Sequence, residues 1–278
     1  MATFDSMTDR PDQFEAFLAL HRRGAPLLMP NAWDQGSAIL LASLGFEALA
    51  TTSSGFAATL GRLDGSVTRD EALDHSRELV GATDVPVSAD LEDAFAESPE
   101  GVAETIALAV ATGLAGCSVE DFTRDNDNPM YDQAAAADRV TAAAEAAHAG
   151  PRRIVLTARA ENYLHGRADL DDTIARLQAF QQAGADVLYA PGLVDLDEIR
   201  SLVAAVDRPV NVLALPGGPS VPELAEAGVG RVSVGGAFAY AALGAAVEAA
   251  NELREQGTYG FWDRARVGGV AARSAFSR

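Results

Sequence analysis

The chain has 278 residues, of which 48% are hydrophobic, and carries a net charge of −19. That length suits a single α/β barrel of roughly 250 residues and buries a full core without a metal or disulfide staple. The acidic balance excludes nucleic acid and anionic membrane surfaces as expected partners, because both require a basic face.

In chain order, the N-terminus Met1-Ala2-Thr3-Phe4-Asp5-Ser6 lacks the basic and apolar regions of a secretory leader. No apolar run reaches the ~18 residues of a membrane span, so a cytoplasmic protein is expected. Eight short apolar runs follow, at 27–33, 48–54, 85–91, 116–121, 154–160, 187–190, 209–214 and 231–235. Near-continuous hydrophobicity marks strands buried on both faces, hence a parallel sheet with helices outside. Ala- and Leu-rich helical patterns alternate with them. Thr68-Arg69-Asp70-Glu71 predicts a capping box, Pro99-Glu100-Gly101 a helix start, and Asp169-Leu170-Asp171-Asp172 another. Gly45, Gly113, Gly184 and Gly228 each close a helical run before a strand, where a left-handed C-terminal residue is expected. Eight βα units predict a (β/α)8 barrel over residues 1–254 and an additional C-terminal helix in 255–278. The alternative, an open doubly wound sheet, more often shows a glycine-rich dinucleotide loop after its first strand, and none is present. The aromatic residues Tyr259, Phe261, Trp262 and Phe276 predict that 255–278 packs either on its own barrel or, exchanged, on a neighbouring subunit.

In a barrel the chemistry sits at the C-terminal ends of the strands. The first strand ends in Asn31-Ala32-Trp33-Asp34, where Asp34 is also a plausible helix cap. The second ends in Ser53-Ser54-Gly55-Phe56, small residues that leave backbone N–H groups open to an anion. Asp64 follows in a turn. The third strand ends in Asp90-Leu91-Glu92-Asp93, where strand alternation puts Asp90 and Glu92 on one face. Glu120-Asp121 closes the fourth. Such clustered carboxylates predict a hard divalent cation, Mg2+ or alternatively Mn2+. Arg159, on the fifth strand, is costly to bury unless it meets anions, either a substrate carboxylate or the acidic cluster and Glu161. Asn211 is a polar residue inside the apolar seventh strand. Gly235-Gly236 fits an anion cradle or close packing equally well. Cys117 lies in an apolar run and reads as a buried structural thiol.

Ser54-Gly55-Phe56, Leu60-Gly61-Arg62-Leu63-Asp64, Asp90-Leu91-Glu92-Asp93, Ser118-Val119-Glu120-Asp121 and Ala158-Arg159-Ala160-Glu161 together resemble the isocitrate lyase / phosphoenolpyruvate mutase superfamily, over roughly residues 15–250. The resemblance implies Asp90 as a direct Mg2+ ligand, with Glu92, Glu120 and Asp64 on the metal's waters. It implies Ser54, Gly55, Phe56, Trp33, Arg159 and Asn211 as substrate-binding residues, and Arg159, Asp64 and Glu120 as catalytic. The Lys-Lys-Cys-Gly-His loop of the isocitrate and methylisocitrate lyases is replaced by Phe122-Thr123-Arg124-Asp125-Asn126-Asp127-Asn128-Pro129-Met130, a segment that reads as a lid or an ordinary loop. After the sixth strand, Tyr189-Ala190-Pro191 stands where those lyases have Glu and the mutases His, so that polar contact is expected to be missing. Tyr163, His165 and a metal-bound water are the expected proton donors. The activity implied is a Mg2+-dependent lyase cleaving a C–C bond of a small 2-hydroxy or 2-oxo carboxylate, resembling 2-methylisocitrate or oxaloacetate, through a pyruvate-type enolate. Mutase- or hydrolase-type P–C chemistry and a non-catalytic metabolite-binding barrel are the alternatives. A homo-oligomer, tetramer or dimer, is expected.

Overall fold

The computed structural model describes residues 13–277; the N-terminal stretch read for a leader lies outside them. The chain forms the expected barrel, with nine parallel strands in eight staves. The strands are β1 (Leu27–Met29), β2 (Asn31–Ala32), β3 (Leu49–Thr51), β4 (Val87–Asp90), β5 (Gly116–Glu120), β6 (Val155–Arg159), β7 (Val187–Tyr189), β8 (Val210–Leu213) and β9 (Arg231–Ser233). The first stave is split because Pro30 has no N–H to give a ladder. Its lower half, β1, pairs with β9 and its upper half, β2, pairs with β3, which closes the ring.

The helices relevant to the site are α1 (Phe14–Leu18), α2 (Gln35–Ser43), α3 (Ser53–Thr59), α4 (Arg69–Ala82), α5 (Pro99–Val110), α6 (Gln133–His148), α7 (Leu170–Gln182), α8 (Leu196–Ala205), α9 (Val221–Glu226), α10 (Ala237–Gln256) and α11 (Trp262–Phe276). Their starts follow the sequence signals. Thr68 and Glu71 form the capping box of α4, Ser98 caps α5 ahead of Pro99, and Asp169 caps α7. Gly45, Gly113, Gly184 and Gly228 all take positive φ, as the helix ends require. Asp34 is the cap of α2, reciprocated by Ser37.

Two apolar layers hold the barrel. The larger lies between the strands and the outer helices and includes Leu49, Leu79, Ile106, Leu156, Leu177, Phe180, Leu188 and Ile199, all fully buried. The smaller closes the bottom, where Phe14 and Phe17 of α1 meet Leu27, Met29, Ala115, Val155 and Val187. Each of the larger of these side chains contributes about 1.5–3 kcal/mol on burial. The plug closes the N-terminal end of the barrel interior. The last helix, α11, lies against α2 of its own chain, and α10 runs to Gln256, two residues past the predicted barrel boundary at 254.

Candidate active site

Neighbouring parallel strands place paired residues on the same side of the sheet. The register Glu120↔Arg159↔Tyr189↔Asn211↔Arg231 therefore forms one continuous row across β5 to β9. It begins at the last residue of β5 and ends at the first residue of β9, so it descends from mouth to floor. An inner cavity of about 160 Å3 is lined by Arg159, Tyr189, Asn211 and Arg231 of this row, with Ser54, Asp64 and Asp90. An outer chamber of about 450 Å3, bordered by Glu92, Glu120, Glu161, Arg124 and His165, opens above it.

Arg159 is the centre of the polar network. Its Nη1 donates to Asp90 Oδ1 at 2.8 Å and its Nε to Glu161 Oε1 at 2.9 Å. Its Nη2 lies 3.1 Å from Glu120 Oε2 and 2.8 Å from Glu161 Oε1. Arg124 forms a second node, donating through Nε and Nη2 to both Asp93 oxygens and through Nη2 to Glu92 at 3.0 Å. Asp90 also accepts from the Ser53 hydroxyl at 3.1 Å, which ties α3 to β4. Asp64 reaches the mouth from its turn and adds to the negative field on Glu92.

These contacts realise the expected alternative in which Arg159 meets the acidic cluster and Glu161. Two guanidiniums already hold Asp90, Glu92, Asp93, Glu120 and Glu161, and among the described residues no three metal-binding side chains converge as a shell. The strand-face argument for Asp90 and Glu92 fails. β4 ends at Asp90, and Glu92 has φ +50°, beyond the pleat.

The donors nonetheless fit Mg2+. All are oxygens, and Mg2+ characteristically takes one or two carboxylates and keeps several waters. Carboxylates also outnumber guanidiniums at the mouth. Burial, then the charge of Asp90, pushes Glu92 up to about 7. Burial holds Glu120 well above the usual carboxylate range. A cluster that must otherwise take up protons is suited to a cation.

Of the expected substrate-binding residues, Ser54, Arg159 and Asn211 line the cavity, whereas Trp33, Gly55 and Phe56 do not. The Gly55 N–H is spent on the Thr52 hydroxyl at 3.3 Å. A Cβ at Gly55 would lie 2.5 Å from Thr52 Cγ2 and 3.0 Å from Trp33 Cβ, so its role is close packing. Phe56 stacks on His75 with ring centroids 3.8 Å apart, and Trp33 presents its carbonyl to His75 Nε2 at 3.1 Å. Gly236 is likewise a close-packing position, since a Cβ there would come within 2.5 Å of Ser54 Oγ.

After the sixth strand, where neither the Glu nor the His of the relatives stands, the chain brings a phenol to the site. Tyr189 lines the cavity, and the Arg159 guanidinium lies 5.3 Å from its ring centre. Burial pushes its phenol up to about 12, so it is a neutral O–H group. Only the strand register, which sets it opposite Arg159, singles it out; the sequence alone carries no such signal. Of the two expected side-chain proton donors, Tyr163 is turned away and donates to Glu198 at 3.0 Å. His165 borders the outer chamber, stacked on Phe122. Cys117 is buried, and burial pushes its thiol up to about 12, as an inert structural thiol requires.

Comparison with known proteins agrees with the fold. Residues 17–254 match the family model for phosphoenolpyruvate phosphomutase. An uncharacterized protein of Mycobacterium tuberculosis H37Rv is 33% identical, across 86% of this chain and 89% of its own. The 2-methylisocitrate lyase of Escherichia coli K12 is 28% identical, across 88% and 85%. A crystal structure of a lyase or mutase candidate from Burkholderia cenocepacia J2315 is 56% identical and superimposes with a TM-score of 0.87, covering 90% of each chain.

Proposed function

The chain belongs to the phosphoenolpyruvate mutase family, and from that membership we propose that it is a Mg2+-dependent lyase cleaving a carbon–carbon bond of a small 2-hydroxy or 2-oxo carboxylate, of the 2-methylisocitrate or oxaloacetate kind, through a pyruvate-type enolate. Its relatives are lyases, mutases and hydrolases, and the chain is an enzyme of that superfamily. The superfamily is Mg2+-dependent. One observation carries the reading: a buried guanidinium, Arg159, stands at the junction of the two chambers with Asp90, Glu120 and Glu161 around it.

When bound, Mg2+ supplies a Lewis acid for negative charge on a substrate oxygen. Asp90, with Glu92, Glu120 and Asp64 about it, would hold the ion and its waters. Arg159 orients a substrate carboxylate and stabilises charge that develops on oxygen in the transition state. Its donors are taken up by Asp90, Glu120 and Glu161; Asp90 and Glu120, were they to hold the ion, would leave donors of Arg159 free for the substrate. Ser54 and Tyr189 bring hydroxyl groups to the cavity wall. The segment 122–130 borders the outer chamber through Phe122, Arg124 and Asn126. In that position it restricts water access to a reactive enolate.

The test is thermal unfolding with and without Mg2+, each with and without oxalate as a mimic of the enolate. A ligand at ~100 times its Kd adds about 2.7 kcal/mol of stability. A rise that needs both components, and that is lost in Asp90→Asn, is the expected result. Products from candidate acids are then followed by proton NMR. No rise under any combination would remove the metal-and-enolate reading. Turnover seen only in the 31P spectrum of a phosphonate would replace C–C by P–C chemistry.

A further inference from the structure

Asn211 and Arg231, the lower end of the mouth-to-floor row, are the members that the proposed chemistry does not use. Arg231 is 3% exposed and lines the floor of the inner cavity. Its Nη1 lies 3.3 Å from His21 Nε2, and its Nη2 donates to Thr157 Oγ1 at 3.1 Å. Both partners are neutral. His21 Nδ1 faces the carbonyls of Phe17 and Leu18, so that nitrogen carries the proton and Nε2 offers a lone pair. The Arg231 Nε has no partner.

Arg159, Arg124 and Arg176 each hold at least two carboxylates. Among the described residues Arg231 holds none. A buried cation without a counter-charge is strongly unfavourable, and an apolar side chain of similar volume would fill the same space more stably. Arg139, as deeply buried and, among the described residues, without a carboxylate ion pair, is met by three backbone carbonyls. Arg231 has only the Thr157 hydroxyl and the His21 lone pair, with its Nε left over, and an anion entering the cavity would supply the missing charge.

Asn211, next to Arg231 in the register, makes the same point independently. Its Oδ1 is buried and unpartnered, while its Nδ2 donates to Ser233 Oγ at 3.0 Å. The two ends of an amide are told apart by their hydrogen bonds. Turning it over lets the Ser233 hydroxyl donate to Oδ1 and puts an N–H2 group at the buried, unpartnered position of this cavity-lining residue. Guanidinium and amide then offer convergent donors to one carboxylate.

We propose that Arg231, with Asn211, receives the distal carboxylate of the substrate at the barrel floor and so selects diacids over monoacids of equal length. This rests on the reading of the mouth as the site of the 2-oxo or 2-hydroxy end. A cavity of ~150 Å3 accommodates a benzene-sized molecule, so an inner cavity of about 160 Å3 suits a short diacid. Arg231 acts here as a binding and specificity residue, remote from the bond that breaks.

Calorimetric titration in the presence of Mg2+ tests it, with oxalate as the probe of the mouth alone. Two matched pairs report on the floor: L-malate against 2-hydroxybutanoate, and 2-oxoglutarate against 2-oxopentanoate. A charged hydrogen-bonded contact is worth about 10- to 100-fold in Kd. The wild-type protein should prefer at least one diacid over its partner by that factor. Arg231→Met should bring the ratio near one, leave oxalate binding unchanged and keep or raise the melting temperature of the free protein. Arg231→Gln, which retains a donor toward Thr157, gives the same readout should the Met variant fail to fold. Intact oxalate binding without diacid preference, or a preference that survives in both variants, overturns this inference alone. An equal loss of all ligands, oxalate included, assigns Arg231 a structural role and also overturns it. No oxalate binding in the wild-type protein overturns the reading of the mouth and this inference together.

Discussion

At the residue scale, Arg159 is held by Asp90, Glu120 and Glu161, with 14% of its side chain exposed. Removing one partner from a buried ion network leaves the others uncompensated, at about 3–5 kcal/mol. Arg159→Met should therefore lose about that much in denaturant unfolding without Mg2+. Added Mg2+ should restore part of it, because the cation replaces the missing charge. A variant as stable as wild type would show that the carboxylates are held by other means. His75 gives a second prediction. Burial depresses it to about 4, and its Nε2 faces the Trp33 carbonyl while its ring stacks on Phe56. The folded protein thus resists a proton that the unfolded chain accepts near 6.5. Stability from this group is fully present above pH 6.5 and is lost as pH falls toward 4, about 3 kcal/mol in all. The His75 imidazole resonance should titrate with a midpoint near 4; a midpoint near 6.5 would refute the buried neutral state. The acidic residues were legible in the sequence because carboxylates at strand ends are chemically conspicuous. Tyr189 and Arg231 were not, since an aromatic residue or a strand-initial arginine looks ordinary until the register aligns it with Arg159.

At the scale of elements, the eight staves were legible because strands covered on both sides read as unbroken apolar runs. The caps were legible because Thr68–Glu71, Ser98–Pro99 and Asp169 solve a local problem with local atoms. The segment after β4 was not. Glu92, Ala94 and Phe95 all take positive φ, at 50°, 61° and 54°. Non-glycine residues in that region cost of order 1–3 kcal/mol each, so the surroundings must impose it. Arg124, itself at φ +63°, grips Glu92 and Asp93 from the far loop, and Arg139 donates to the Asp93 carbonyl at 2.6 Å. No local pattern announces a conformation fixed by residues some 30 to 45 positions away. Arg124→Ala should release both segments. Amides of 91–96 and 121–131 should exchange with deuterium about 5- to 30-fold faster, as for a loss of about 1–2 kcal/mol, with the barrel strands unaffected. Unchanged exchange would show that the turn after β4 is self-supporting.

At the scale of the whole molecule, two features of the surface point beyond a single chain. Among the described residues no helix is long and apolar enough to cross a membrane, yet α10 and α11 expose much apolar area. Only Ala239 of α10 is buried, while Phe238, Tyr240, Leu243, Val247 and Leu253 stand exposed. On α11, Trp262, Val267, Val270 and Phe276 do the same. Tyr240, Leu243 and Val247 follow the i, i+3, i+7 spacing of one helical stripe. Apolar area of this kind marks a surface that is covered in the working protein. We propose that a second copy covers it, giving the homo-oligomer expected from the sequence. The same helix begins one residue after Gly236, which packs on Ser54, so the interface and the cavity wall share a rigid element. Light scattering should then return a multiple of the 28.9 kDa chain mass. Leu243→Glu with Val247→Glu places two charges on the stripe and should shift the protein toward monomer, with lower activity through a loosened α10. A wild-type monomer would leave the stripe without this partner. A monomeric double variant with full activity would separate assembly from the site.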